Sequence, residues 1–157
     1  MRRLALLALV AAAPAPASLP ISASLPPPVT GACISSPFGP RAAHPLRPAT
    51  FHYGIDFPAA AGTPIHSVAA GTIVAIGRRG AEGLAIDVAH GGYVAVYAHL
   101  GMVAIPVVNG QRKVAAGTVL GRVGRTGLTT GPHVHFELHV DGKPVDPAPY
   151  VQAAACR

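Results

Sequence analysis

Charge is the scarcest property of this chain. Asp, Glu, Lys and Arg make up 11% of its 157 residues, and only 6 residues are acidic. Aromatic residues make up 5% and tryptophan is absent. Recognition of nucleic acid requires Lys and Arg clustered with stacking aromatics. Here the basic residues are scattered, so that class is set aside. No stretch after the first residues is long and apolar enough to cross a bilayer. The H-E-x-x-H signature of many zinc proteases is also missing. Cysteine occurs only twice, as Cys33 and Cys156.

Glycine and proline are plentiful instead, with 18 and 17 copies. That density of breakers excludes long helices and favours short strands joined by tight turns. The chain length fits one domain with room for a real core.

Residues 1–17 read as a secretory signal. Arg2 and Arg3 precede the apolar run Leu4–Ala13, which is too short to span a bilayer, and Ala15-Pro16-Ala17 is a small-x-small cleavage site. A buried N-terminal helix is the competing reading, but Pro14 and Pro16 stop the run at once. Export predicts a periplasmic or extracellular protein and permits a disulfide between Cys33 and Cys156. In the chain-entropy model such a long loop closure contributes roughly 4–5 kcal/mol. Cys33 is no lipid-attachment site, since it lies far beyond the apolar run. Loss of Arg2 and Arg3 with the signal lowers the formal charge from +6 to +4, which still attracts anionic cell-envelope material.

Residues 18–30 are rich in Pro and Ser and read as a linker. Residues 31–157 read as the folded domain. Short β-rich runs (Gly71–Ile76, Leu84–Val88, Tyr93–His99, Val119–Val123 and Val134–Val140) alternate with glycine-bearing turns. The pattern predicts an all-β domain, an antiparallel β sandwich or partly open barrel.

The last of these strands is the clearest. His133, His135, Glu137 and His139 fall on one face and Val134, Phe136, Leu138 and Val140 on the other. The apolar face belongs in the core. Three histidines and a glutamate on the other face suggest a site.

Upstream stands His52-Tyr53-Gly54-Ile55-Asp56, an H-x-x-x-D. In an extended segment His52 and Asp56 share a face, and Gly54 permits a bend or a close backbone approach. Imidazole nitrogen and carboxylate oxygen are ligands of zinc, and a catalytic zinc takes three protein ligands with one position open. The two motifs supply that set with one histidine to spare. Spacing alone does not distinguish His133 from His135 as the ligand.

In order along the chain, Ser35-Ser36-Pro37-Phe38-Gly39-Pro40-Arg41, the H-x-x-x-D, Tyr97-Ala98-His99-Leu100 and the stretch from Gly124 to Glu137 resemble the lysostaphin/LytM-type zinc endopeptidases. Gly62-Thr63-Pro64-Ile65 and Ala70-Gly71-Thr72-Ile73 extend the likeness, which covers roughly residues 35 to 150. It implies the LytM (duplicated hybrid motif) fold and hydrolysis of peptide cross-links in bacterial peptidoglycan. It implies His52, Asp56 and His135 as ligands of Zn(2+), and His99 and His133 as catalytic residues that do not bind metal. Of these, His133 is favoured as the base and His99 as the orienting and stabilising group.

The implied partner is a peptidoglycan stem peptide or cross-bridge. Glu137 reads equally well as an acceptor for a ligand's second N–H and as a structural hydrogen-bonding group. Arg41 reads as a loop anchor or a substrate contact. His44, His66, His90 and His139 read as loop, exposed or structural residues. Two loops, Arg78–Asp87 and Met102–Lys113, depart from the family's pattern, which bears on the shape of the groove. The alternative function is a non-catalytic LytM-type domain that binds cell wall or activates another wall hydrolase. A closed four-ligand structural zinc module and a general protease are weaker readings.

Overall fold

The computed structural model describes residue 21 and residues 24–42 and 50–157. The signal read over residues 1–17, part of the linker and His44 lie outside the described residues. The described chain is antiparallel β with little helix, as the turn-rich sequence predicts.

Eleven strands follow one another: β1 (Gly39–Arg41), β2 (Thr50–His52), β3 (Ile55–Pro58), β4 (Pro64–His66), β5 (Gly71–Arg79), β6 (Gly83–Ala89), β7 (Val94–Val103), β8 (Lys113–Val114), β9 (Val119–Val123), β10 (His133–Val140) and β11 (Lys143–Val145). β1 and β2 form a small ladder of their own. The remaining nine strands form one sheet with the order β11-β10-β7-β6-β5-β8, with β3 on β10 and with β9 bridging β7 and β4. The five strands expected from sequence are all present. The shorter ones carry too few residues to show a period.

β10 is the axis of the site. Its second half pairs with β7, and its first half also pairs with β3 along the other edge. Val134, Phe136 and Leu138 are fully buried, so the apolar face does pack into the core. Phe136 meets Tyr97 and Phe57 there, with ring centroids 5.3 and 6.3 Å apart. At roughly 1.5–3 kcal/mol per fully buried large side chain, this face fixes the register of the strand. A slip of one residue would bury the histidines and expose Phe136.

Two distant segments, residues 25–34 and 151–156, are tied together. Leu25 bridges Val151 and Ile34 bridges Ala155, both in parallel, and Cys33 and Cys156 form a disulfide. Leu25 and Val29, inside the Pro- and Ser-rich stretch read as a linker, are buried in the core. Beyond the disulfide the strap runs into Ser35 and Ser36, whose backbones exchange hydrogen bonds with that of Asp56.

Of the two segments read as loops, Arg78–Asp87 is mostly the end of β5 and the start of β6 around a short turn, and Met102–Lys113 is a longer connection. The β5–β6 connection is a tight 3-10 turn, Gly80–Glu82, docked on the loop before β10 by a hydrogen bond from Leu128 N–H to the Ala81 carbonyl (2.8 Å). Leu84 N–H also donates to Thr126 Oγ1 at 2.9 Å. Gly127, at φ 78°, leaves no space for a side chain against Ala81 and Gly83. The longer loop contains a single helical turn, Ile105–Val108.

Candidate metal centre

Register brings the first two groups together. His135 lies directly opposite Asp56 on β3, so both side chains project from the same face. His52 arrives differently. It ends β2, and the chain turns through Tyr53 and Gly54 before β3 begins. His52 and Asp56 thus belong to separate ladders and not to one extended segment as their spacing suggested. The turn is tight because Gly54 sits against β10. A Cβ there would collide with the Phe136 carbonyl oxygen and with the side chains of Glu137 and His135.

The three groups converge closely. His52 Nε2 lies 3.0 Å from His135 Nδ1, and Asp56 Oδ1 lies 3.1 Å from the first and 2.9 Å from the second. One ligand atom from each residue falls within 4.8 Å of the others. Around them each ring is anchored by its far nitrogen. His52 Nδ1 meets the Pro37 carbonyl at 2.7 Å, and His135 Nε2 meets Glu137 Oε1 at 2.8 Å. A carbonyl and an ionised carboxylate only accept, so both far nitrogens donate. In neutral imidazoles the inner nitrogens are then bare, and two lone pairs face each other across a carboxylate oxygen. Such a cluster is stable only with positive charge at its centre.

A proton or a metal ion can supply that charge. His135 is the ring whose surroundings favour a proton. Burial alone would lower its pKa, but hydrogen bonds to Asp56 and Glu137 prevail and push it up to about 9. Burial likewise works to raise the Asp56 carboxyl, yet its bonds with His135 and His52 hold it far below the ordinary value. Asp56 Oδ2 also faces Arg41, 3.3 Å away, and Arg41 donates to Ser36 Oγ at 2.7 Å. Arg41 is therefore an anchor of the carboxylate. The donor set, two imidazoles and one carboxylate each oriented from outside, fits a divalent metal.

Two more histidines stand beside this cluster. His133 lies on the same face of β10, with Nε2 3.6 Å from Asp56 Oδ1. Its Nδ1 is held by Gly131 O and Thr129 Oγ1, both at 3.0 Å. His99 is unexpected from strand parity. Its neighbour Ala98 pairs with His135 and so faces the site, which should turn His99 toward the core. The backbone departs from that rule: His99 has φ 61°, and the register shifts between Leu100 and Met102, where β7 leaves β10 for β9. The left-handed residue re-aims the ring, at a cost of order 1–3 kcal/mol. His99 Nδ1–H donates to Thr126 O at 2.8 Å, and the ring sits 4.6 Å from that of His133 between centroids. Burial holds His99 below its ordinary pKa, with the nearby histidines adding to the effect.

All five residues singled out in the sequence line one groove of about 1110 Å³. Phe51 and Tyr53 stand on one rim and Leu128 on another part of the wall, each exposed. Sequence reasoning gave His139 no part in the site, yet it bonds to Glu137 Oε2 at 2.5 Å. Its place on the polar face of β10 was the available signal.

Comparison with known proteins places the chain in a family. Residues 50–147 match peptidase family M23, and the chain belongs to that family. It is 43% identical over 115 residues to the DD-carboxypeptidase/endopeptidase Mpg of Neisseria meningitidis, covering 73% of this chain and 26% of that protein. It is 37% identical to the peptidoglycan DD-endopeptidase ShyA of Vibrio cholerae, covering 72% of this chain and 26% of that protein. The chain thus spans about a quarter of the length of these relatives. Among solved structures it resembles the catalytic domain of the antimicrobial peptidase lysostaphin from Staphylococcus simulans, with a TM-score of 0.65 and 30% identity over 74% of this chain and 89% of that one. A zinc-containing peptidase from Vibrio cholerae matches with a TM-score of 0.67 and 29% identity, over 80% of this chain and 38% of that one.

Proposed function

We propose that this chain is an exported, zinc-dependent endopeptidase that hydrolyses peptide cross-links of bacterial peptidoglycan. The observation that carries the reading is the convergence of His52 Nε2, His135 Nδ1 and Asp56 Oδ1 in an open groove, beside two further histidines. Membership in a peptidase family and relatives named for peptidoglycan endopeptidase activity support it. Among the described residues no helix is long and apolar enough to cross a membrane. Export rests on the leader-like residues 1–17.

In this reading His52, Asp56 and His135 hold zinc, whose preferred donors include imidazole and carboxylate. When bound, the ion supplies Lewis-acid polarisation of a carbonyl and a water whose pKa is near 7. The protein's own groups manage the protons. His133 donates through Nδ1, so Nε2 is its basic nitrogen, and it takes a proton from water and delivers it to the leaving amine. His99 is fixed the same way, with Nδ1–H on Thr126 O. Its neutral Nε2 accepts a hydrogen bond from the water and orients it. By taking the water's second proton during attack it gains the Nε2–H that donates to the tetrahedral oxyanion, and it then releases that proton to solvent, leaving the product a carboxylate. Asp56 is kept ionised by its bonds with His135 and His52, while Arg41 holds its other oxygen.

The test is incubation of the purified, zinc-loaded protein with isolated peptidoglycan. Mass spectrometry should find new peptide termini, and chelation by EDTA should stop their release. Binding to the wall without any released fragment would establish the non-catalytic alternative instead.

A further inference from the structure

The inner face of β10 continues past the candidate ligand. His135, Glu137 and His139 alternate along the strand and are joined in series: His135 Nε2 to Glu137 Oε1 at 2.8 Å, and His139 Nε2 to Glu137 Oε2 at 2.5 Å. Glu137 is only 7% exposed, so a full carboxylate lies out of water with both oxygens engaged. Both of its oxygens face imidazole nitrogens, so Glu137 serves as the shared acceptor. Gly54 lacks a side chain where one would strike both Glu137 and His135, so the backbone closes over the pair. His139 is more open, and with Glu137 it lines a second hollow of about 540 Å³ beside the metal groove.

We propose that Glu137 and His139 are positioning residues for the metal ligand His135. By accepting from Nε2–H, Glu137 fixes the tautomer in which Nδ1 is bare and raises the basicity of that nitrogen. Its second oxygen leaves it free to rotate away, and His139 removes that freedom by donating to it. His139 thus acts on the ligand through the carboxylate, at one remove. The pair makes no contact with the reacting groups His99 and His133 among the described hydrogen bonds. This inference rests on the metal reading of the site.

The test uses the whole protein and reads metal binding directly. Zinc affinity is measured by competition with a chromophoric chelator, and the Co(II)-loaded protein gives a ligand-field spectrum that reports His135. Glu137→Ala should weaken zinc binding about 10- to 100-fold and shift the cobalt bands. Glu137→Gln keeps an acceptor of the same shape without its charge, so the loss should be smaller and the cobalt spectrum closer to wild type. It also serves where Glu137→Ala does not fold, as judged by circular dichroism. His139→Ala should weaken binding in the same direction by less, and His139→Gln should restore it, since the amide N–H can reach the same oxygen.

Wild-type affinity and spectrum in folded Glu137→Ala, or in Glu137→Gln if only that variant folds, would overturn the role of Glu137. Unchanged binding in His139→Ala would overturn that of His139. A wild-type protein that takes up no zinc would overturn the metal reading and this inference together, an outcome distinct from either variant result.

Discussion

His133 and His135 stand on a regular strand, whereas His52 and Asp56 stand on either side of a kink between two ladders. On β10 the period of the strand puts both rings on one face, and the buried residues between them fix which face that is. Nothing equally local places His52. It depends on the β1–β2 ladder, on the Pro37 carbonyl, and on Gly54 passing close to β10. Asp56 depends on Ser35 and Ser36 on one side and on His135 on the other. One half of the site is secured by its own sequence pattern and the other by contacts from distant parts of the chain.

The sharpest way to test this contrast is to remove one ring at a time. His135→Ala should reduce bound zinc from one equivalent to background in elemental analysis, with complete loss of hydrolysis. Equal zinc in variant and wild type would sink the ligand assignment. His99→Ala should retain the metal and lose turnover by about 10²- to 10⁴-fold, the usual size of a general acid–base contribution. Loss of zinc from that variant would show His99 to be part of the metal site.

The irregular half should answer to the disulfide. Replacing both Cys33 and Cys156 by serine removes the staple at the end of the strap that grips Asp56. Denaturant unfolding should report a loss of up to about 4–5 kcal/mol in the chain-entropy limit. An unchanged midpoint would mean that the bridges at Leu25 and Ile34 hold the strap unaided. The smallest change strikes where the halves touch. Gly54→Ala should cost about 1–3 kcal/mol through overpacking against β10 and weaken zinc binding as the chain is pushed away from His135. A variant with wild-type stability and affinity would show that the close approach has no role.

The same contrast explains what the sequence made readable. The alternation from His133 to Val140 is a local signal, and it placed the polar and apolar faces correctly. The H-x-x-x-D was legible as a pair of ligand types but not as geometry, because a kink at Tyr53-Gly54 depends on tertiary packing. His99 was beyond reach of periodicity. Strand parity directs it to the core, and only a left-handed backbone at that residue turns it to the groove. Here the family resemblance supplied what the pattern lacked. Leu25 and Val29 escaped notice as core residues because single apolar side chains among prolines carry no period. His139 was read as exposed or structural because nothing local in the sequence identifies Glu137 as its partner.

The Cys33–Cys156 bridge spans 123 positions, and every strand of the groove lies between its ends. It can close only once residue 156 has been synthesised and an oxidant is present. Until then the segment that hydrogen-bonds His52 and Asp56 has the backbone bridges at Leu25 and Ile34 to hold it to the far end of the fold. The staple is therefore a late covalent addition to a groove whose strands lie wholly inside the loop it closes.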